Sequence, residues 1–216
     1  MIQVIDLIET NDVEATKTLW RQVGLFLAEQ PGYVSGTLLE TFETVHPTAD
    51  YKLTSFCQWE TDEDWQRARS AAKANPVLSK LLAESEAKFT AFKGVLHDGH
   101  DTSEGTQGHQ NMVLVDVIQL SNERMDGYAA MWQNAKNFMK DKHGYVAANL
   151  YRTVDEDNPI KFINMPEWIS PDLFTGSLKT PEFFSIVDEY KEDFALYLSK
   201  KVMSIPARSV ALKKAV

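Results

Sequence analysis

Leu19-Trp20 through Gly32-Tyr33-Val34 and, 112 residues later, Met131-Trp132 through Gly144-Tyr145-Val146 are one pattern written twice. Between these anchors Val23, Phe26 and Leu27 become Ala135, Phe138 and Met139. The apolar stripe survives while the polar letters change, as expected when a fold is duplicated and its copies drift. Working outward, Val4-Ile5-Asp6-Leu7-Ile8 matches Leu114-Val115-Asp116-Val117-Ile118, and Lys52 to Trp59 matches Lys161 to Trp168. Asn75-Pro76-Val77-Leu78 matches Thr180-Pro181-Glu182-Phe183, and Phe89 matches Phe194.

Each copy carries its own element order. Ile2 to Glu9 is short and apolar on both faces, the mark of a strand buried on both sides. Asn11 with Glu14 gives a capping-box start to a helix whose stripe runs Val13, Thr16, Leu19, Trp20, Val23, Phe26 and Leu27, about five turns. Pro31-Gly32 ends it, the glycine suiting a left-handed C-terminal cap. Tyr33 to Thr41 and Tyr51 to Trp59 form a hairpin around His46-Pro47-Thr48-Ala49-Asp50. An acidic start at Thr61-Asp62-Glu63-Asp64 opens a second helical region, broken at Asn75-Pro76, and Phe89 to Leu96 supplies a last strand. The sum is β-α-β-β-α-β, a ferredoxin-like unit. Residues 97–110 hold no aliphatic or aromatic side chain and read as a polar linker between a first repeat, 1–96, and a second repeat with a C-terminal tail, 111–216. The fold class expected is α+β: two tandem ferredoxin-like repeats packed sheet to sheet as an intrachain α/β-barrel, which buries the second face of each sheet. That makes a pseudo-dimeric monomer, with a further homodimer left open.

Composition narrows the function. The chain of 216 residues carries a formal net charge of -9, which argues against a nucleic-acid groove or an anionic membrane surface. The single cysteine, Cys57, excludes an intrachain disulfide framework and suits a reducing compartment. No apolar run approaches a membrane span, and the N-terminus lacks the features of a signal peptide. A cytoplasmic protein is expected.

The helix stripe, the Gly-Tyr-Val that opens the second strand and the strand end Gln58-Trp59-Glu60-Thr61-Asp62-Glu63-Asp64-Trp65 resemble the antibiotic-biosynthesis-monooxygenase (ABM) family of the dimeric α/β-barrel superfamily, in tandem form. The resemblance covers about 95 residues of each half. Its cofactor-independent oxygenases carry an Asn four residues before the strand-end Trp. Asn164-Met165-Pro166-Glu167-Trp168 has that spacing, whereas the first half has Ser55-Phe56-Cys57-Gln58-Trp59. Four residues keep both side chains on one face, ~13 Å apart at ideal rise, and Pro166 suggests a bulge or edge position that shortens the gap. The resemblance implies a phenolic substrate that is deprotonated, reduces O₂ directly and becomes a quinone, without a cofactor. On that reading Asn164 donates to the substrate oxygen, Trp168 walls the pocket, and the matching Ser55 and Trp59 belong to a substrate-binding surface. The plain alternative is that Trp59 and Trp168 are core tryptophans at equivalent positions.

Asp6 and Asp116 lie among apolar neighbours on the first strand of each copy. Burial would raise such a carboxyl and fit it to take a proton from a phenol, with Asp116 catalytic and Asp6 its substrate-binding counterpart; the plain alternative is a structural carboxylate satisfied by nearby donors. Haem-degrading members of the superfamily use a histidine on the second long helix, and neither Pro76–Glu86 nor Pro181–Lys191 contains one. His97, His100 and His109 with Asp98, Asp101 and Glu104 sit in the polar linker and read as solvated loop, not a metal site. The function expected is O₂-dependent oxidation of a phenolic or polycyclic aromatic small molecule in the second half. The alternatives are a non-catalytic small-molecule-binding or stress-related barrel and a fold-mate isomerase or dehydratase.

Overall fold

A computed structural model describes residues 1–99 and 111–207. These group into two compact units. Unit 1 comprises Met1–Glu40, Ala49–Lys93 and the described residues from Val202; unit 2 comprises Thr41–Thr48 and the described residues of Gly94–Lys201.

Unit 1 is built on β1 (Ile2–Glu9), α1 (Val13–Leu27), β2 (Tyr33–Val45, to Glu40), β3 (Tyr51–Trp59), α2 (Asp62–Ala74), α3 (Pro76–Glu84) and β4 (Lys88–Gly99, to Lys93). The cap of α1 is Asp12 and not Asn11: its carboxylate accepts from Ala15 N at 2.9 Å, and Thr10 and Thr16 share a further hydroxyl contact. The helix spans 15 residues, four turns instead of five. It ends at Leu27, so Gly32, at φ +78°, serves the turn into β2 and not the helix cap. Thr61 caps α2 and Asn75 caps α3, with Pro76 in its first turn, so the break at Asn75-Pro76 is a helix-to-helix corner. β3 pairs antiparallel with β1, Asp6 facing Ser55, and with β2, Leu38 facing Ser55. Trp20, Tyr33, Leu53 and Trp59 form the centre of the core, joined by Ile205 and Ala207.

Unit 2 is built on β5 (Met112–Gln119), α4 (Met125–Met139), β6 (Tyr145–Ala147), β7 (Asn149–Thr153), β8 (Ile160–Asn164), β9 (Glu167–Trp168), α5 (Pro171–Leu178), α6 (Pro181–Val187) and most of β10 (Phe194–Pro206). β8 pairs with β5, Asp116 facing Asn164, and β5 pairs on its other side with β10, Asp116 facing Leu196. The stretch from Lys161 to Trp168 is split at Met165-Pro166, the place where the sequence suggested a bulge or edge position. Pro166 has no N–H to give a ladder, and its carbonyl instead accepts from Leu114 N at 2.9 Å while Met165 N donates to Asn149 O at 2.8 Å. β9 resumes the pairing with β5 at Met112 and Val113.

Strands β2 and β4 run further than their apolar patterns suggested, to Val45 and Gly99. Polar residues continue both because a strand needs only backbone partners: Gly94 to Gly99 of β4 pair with β7. Hydrogen bonds connect β10, β2, β3, β1, β4, β7, β8 and β5 in that order, and the β5–β10 ladder closes the circuit. The fold is an α/β-barrel of the α+β class. Among the described residues no helix is long and apolar enough to cross a membrane.

Candidate active site

Unit 2 holds a cavity of about 630 Å³ that opens to the surface. Along β5 the side chains alternate, and Leu114 and Asp116 share the face that meets it. Asn164, at the end of β8, and Trp168, in β9 beyond the break at Met165-Pro166, line the same space. Tyr128, Met131 and Trp132 on α4 and Phe174 and Phe183 on α5 and α6 complete a largely aromatic wall. Ser170 and Thr180 cap the two short helices, each followed by a proline that presets the first turn. Trp168 is held by edge contacts with Tyr145, at 5.5 Å between centroids, and Phe174, at 5.6 Å.

The polar feature of this wall is a pair. Asn164 Nδ2 donates to Asp116 Oδ2 at 3.3 Å. Asp116 is 7% exposed, and burial pushes its carboxyl up to about 7, the amide of Asn164 pulling weakly the other way. Asp116 Oδ1 and Asn164 Oδ1 are buried without a hydrogen-bond partner among the described residues. A carboxyl so placed loses and regains a proton near neutrality. Tyr128, whose ring stacks on Phe162 at 5.1 Å, is shifted in the same direction: burial, with the Asp116 charge added, holds its phenol well above the ordinary range, so it stays protonated.

Asp116, Asn164 and Trp168 therefore meet at one cavity. Asp6, Ser55 and Trp59 lie in unit 1 and do not line it. Ser55 Oγ accepts from Trp20 Nε1 at 2.8 Å in a buried contact that joins α1 to β3. Trp59 is fully buried between Tyr33, at 5.2 Å, and Trp65, at 5.5 Å, and its indole N–H has no partner among the described residues. Asp6 is half-buried; desolvation pushes its carboxyl up to about 6, opposed by the Arg69 guanidinium.

Two further cavity residues were not singled out for chemistry in the sequence. Tyr128 occupies the position on α4 that Thr16 holds in the matching stripe of α1, so the mismatch between the two stripes was the available clue. His46 sat in a turn and gave none. Among the described residues no group of three or more His, Cys, Asp and Glu side chains could hold a metal. His97 lies in β4 with its ring against Phe162, and Asp98 accepts from Lys136 at 2.7 Å; the remaining histidines and carboxylates of that run lie outside the described residues. His46 is the one imidazole among the described residues lining the cavity, and it is exposed at the hairpin tip, a poor fit to a buried axial haem ligand.

No protein-family model matches the chain, and no curated protein matches it. Solved structures do. An anthrone oxidase-like protein superposes with a TM-score of 0.75 at 13% identity, over 96% of this chain and 93% of that one. A protein from Fusobacterium nucleatum assigned as a monooxygenase gives 0.62 at 12% identity, over 95% and 93%. A chlorite dismutase from Candidatus Nitrospira defluvii gives 0.57 at 14% identity, over 100% and 95%. At these identities the likeness is one of fold, and the chain shares the α/β-barrel fold of proteins named for several oxidative reactions.

Proposed function

We propose that this protein is a cofactor-independent oxygenase of the tandem ABM type that oxidises a phenolic or polycyclic aromatic molecule with O₂ in the unit 2 cavity. The observation that carries the reading is the hydrogen-bonded Asp116–Asn164 pair set in an aromatic wall. Asp116, poised near 7, takes the phenolic proton of the bound substrate. An amide nitrogen has two N–H groups; one is used on Asp116, and the second donates to the oxyanion as it forms. The electron-rich anion passes one electron to O₂, and the resulting superoxide and organic radical combine into a peroxide at the ring carbon. Collapse of the peroxide leaves one oxygen atom as the new carbonyl; the other departs as water with the two hydrogens lost by the substrate. The apolar wall, with Trp168 and Phe174, keeps bulk water from quenching the anion.

The test is aerobic against anaerobic incubation with a dihydroxynaphthalene and with an anthrone, the latter chosen for the name of the anthrone oxidase-like protein. Quinone absorbance that requires O₂ and the chain, with one labelled atom incorporated from ¹⁸O₂, is expected. Ligand-induced tryptophan fluorescence change without turnover across the panel would overturn the oxygenase in favour of a binding protein.

A further inference from the structure

The tip of the β2–β3 hairpin belongs to the compact unit that holds the cavity, although β1, β3 and the rest of β2 belong to the other. Thr41–Thr48 is assigned to unit 2, and His46, Pro47 and Thr48 line the cavity. Val45 fixes the tip by packing on the cluster of Met112, Leu114, Trp168 and Phe174. At the base of this segment the Thr41 hydroxyl lies 3.5 Å from that of Ser199.

His46 is the one non-glycine among the described residues with a positive φ, +51°. Side chains are rarely held in that left-handed region, and where they are, ligand sites are over-represented. Pro47 follows with its φ preset, so the turn has little freedom to point His46 elsewhere. Among the charged side chains that line the same cavity, Lys136 bonds Asp98 at 2.7 Å and Lys191 bonds Asp188 at 2.9 Å. The His46 imidazole has no hydrogen-bond partner among the described residues, and it presents an N–H donor in either tautomer.

We propose that His46 is a specificity-determining residue of the unit 2 cavity, donating a hydrogen bond to an acceptor-bearing substituent, a carboxyl or carbonyl, on the bound aromatic ligand. The inference rests on the cavity being the ligand site, as in the function proposed above, and not on the oxidation itself. It narrows the substrate to aromatics with two polar groups: a hydroxyl for the Asp116–Asn164 pair and an acceptor for the hairpin.

The experiment measures binding in anaerobic buffer by quenching of tryptophan fluorescence, Trp132 and Trp168 being on the cavity wall. The probes are 2-naphthol and 6-hydroxy-2-naphthoic acid, which differ by the carboxyl alone. The full-length chain is compared with His46→Gly, which suits the positive φ, and His46→Gln, which retains a donor. His46→Gly should weaken the naphthoic acid by about tenfold, the scale of one hydrogen bond to a charged group, and leave 2-naphthol within about twofold. His46→Gln should recover most of the loss. Equal binding of the acid to wild type and His46→Gly, or equal loss of both probes, overturns the role of His46 while leaving the oxygenase reading intact. Failure of both probes to bind wild type overturns the cavity as a ligand site, and both readings with it.

Discussion

Asp116→Asn is the most informative single change, because it separates what Asp116 does for the site from what it costs the fold. The carboxyl moves from an ordinary 3.8 to about 7 on burial. A shift of about 3 units corresponds to roughly 4 kcal/mol. The sign follows from proton binding: between these values the folded state holds a proton that the unfolded chain has released. Stability is therefore fully present below the unfolded value and falls as pH rises through the folded one. Between about pH 5 and pH 8 the loss attributable to Asp116 is ~2.5 kcal/mol. Asparagine has the same shape, can accept from Asn164 Nδ2 and has no charge to bury. Urea unfolding of both chains across this range should show Asp116→Asn gaining on wild type steadily with pH, to a few kcal/mol at about pH 8, while its O₂-dependent turnover disappears. Asp6, also raised, adds its own slope to both chains and cancels in the difference. A difference between the two chains that does not change with pH would refute the reasoning, since it would mean that Asp116 is ionised in the folded protein at an ordinary pH.

Three further outcomes are expected. Asn164→Ala should lower turnover by about 10²–10³, the scale of one lost oxyanion donor, and move the acidic limb of the pH–rate profile upward, because the amide that lowers the Asp116 carboxyl is gone; stopped-flow quinone absorbance against pH reads both. Ser55→Ala should cost about 1–3 kcal/mol by orphaning the buried Trp20 indole N–H, yet leave probe binding in the unit 2 cavity unchanged; thermal melts and fluorescence titration check the two halves of that statement. Gly144→Ala should destabilise by at least ~1–2 kcal/mol in denaturant unfolding, since the residue sits at φ +92° and a Cβ there would meet Leu173 Cβ at 2.9 Å.

Local chemistry made much of the fold legible. The apolar stripe of α1 and the matching stripe of α4, the helix corner at Asn75-Pro76 and the bounds of β3 follow from side-chain periodicity and capping groups that act over a few residues. The ends of β2 and β4 did not, because backbone pairing carries them through polar residues that have no periodic signature. The site divides in the same way. Asp116 opposite Asn164 is a consequence of register between two strands; Asn164 could be singled out from its difference with Ser55, and Asp116 as a carboxyl set among apolar strand residues. His46 could not, since its place on the cavity depends on where a hairpin tip comes to rest, which no neighbouring residue encodes. Ser55 shows the converse: a hydroxyl at a position suspected of chemistry is used to satisfy an indole.

The composition of β10 has a kinetic consequence. Phe194 to Lys200 completes the ladder on β5, and a few residues later Ile205 and Ala207 enter the core of unit 1. There Tyr33 Oη donates to Ile205 O at 2.9 Å across 172 positions of chain, and Ala207 N donates to Val34 O. Unit 1 thus cannot reach its final core from its own N-terminal stretch as that stretch leaves the ribosome; it waits until the segment beyond residue 202 has been made. Contacts of such separation slow the search for the native state and lengthen the time for which Trp20 and Trp59 lack their full cover. Synthesis order and folding order are opposed in this chain, and the half translated first is among the last parts to be finished.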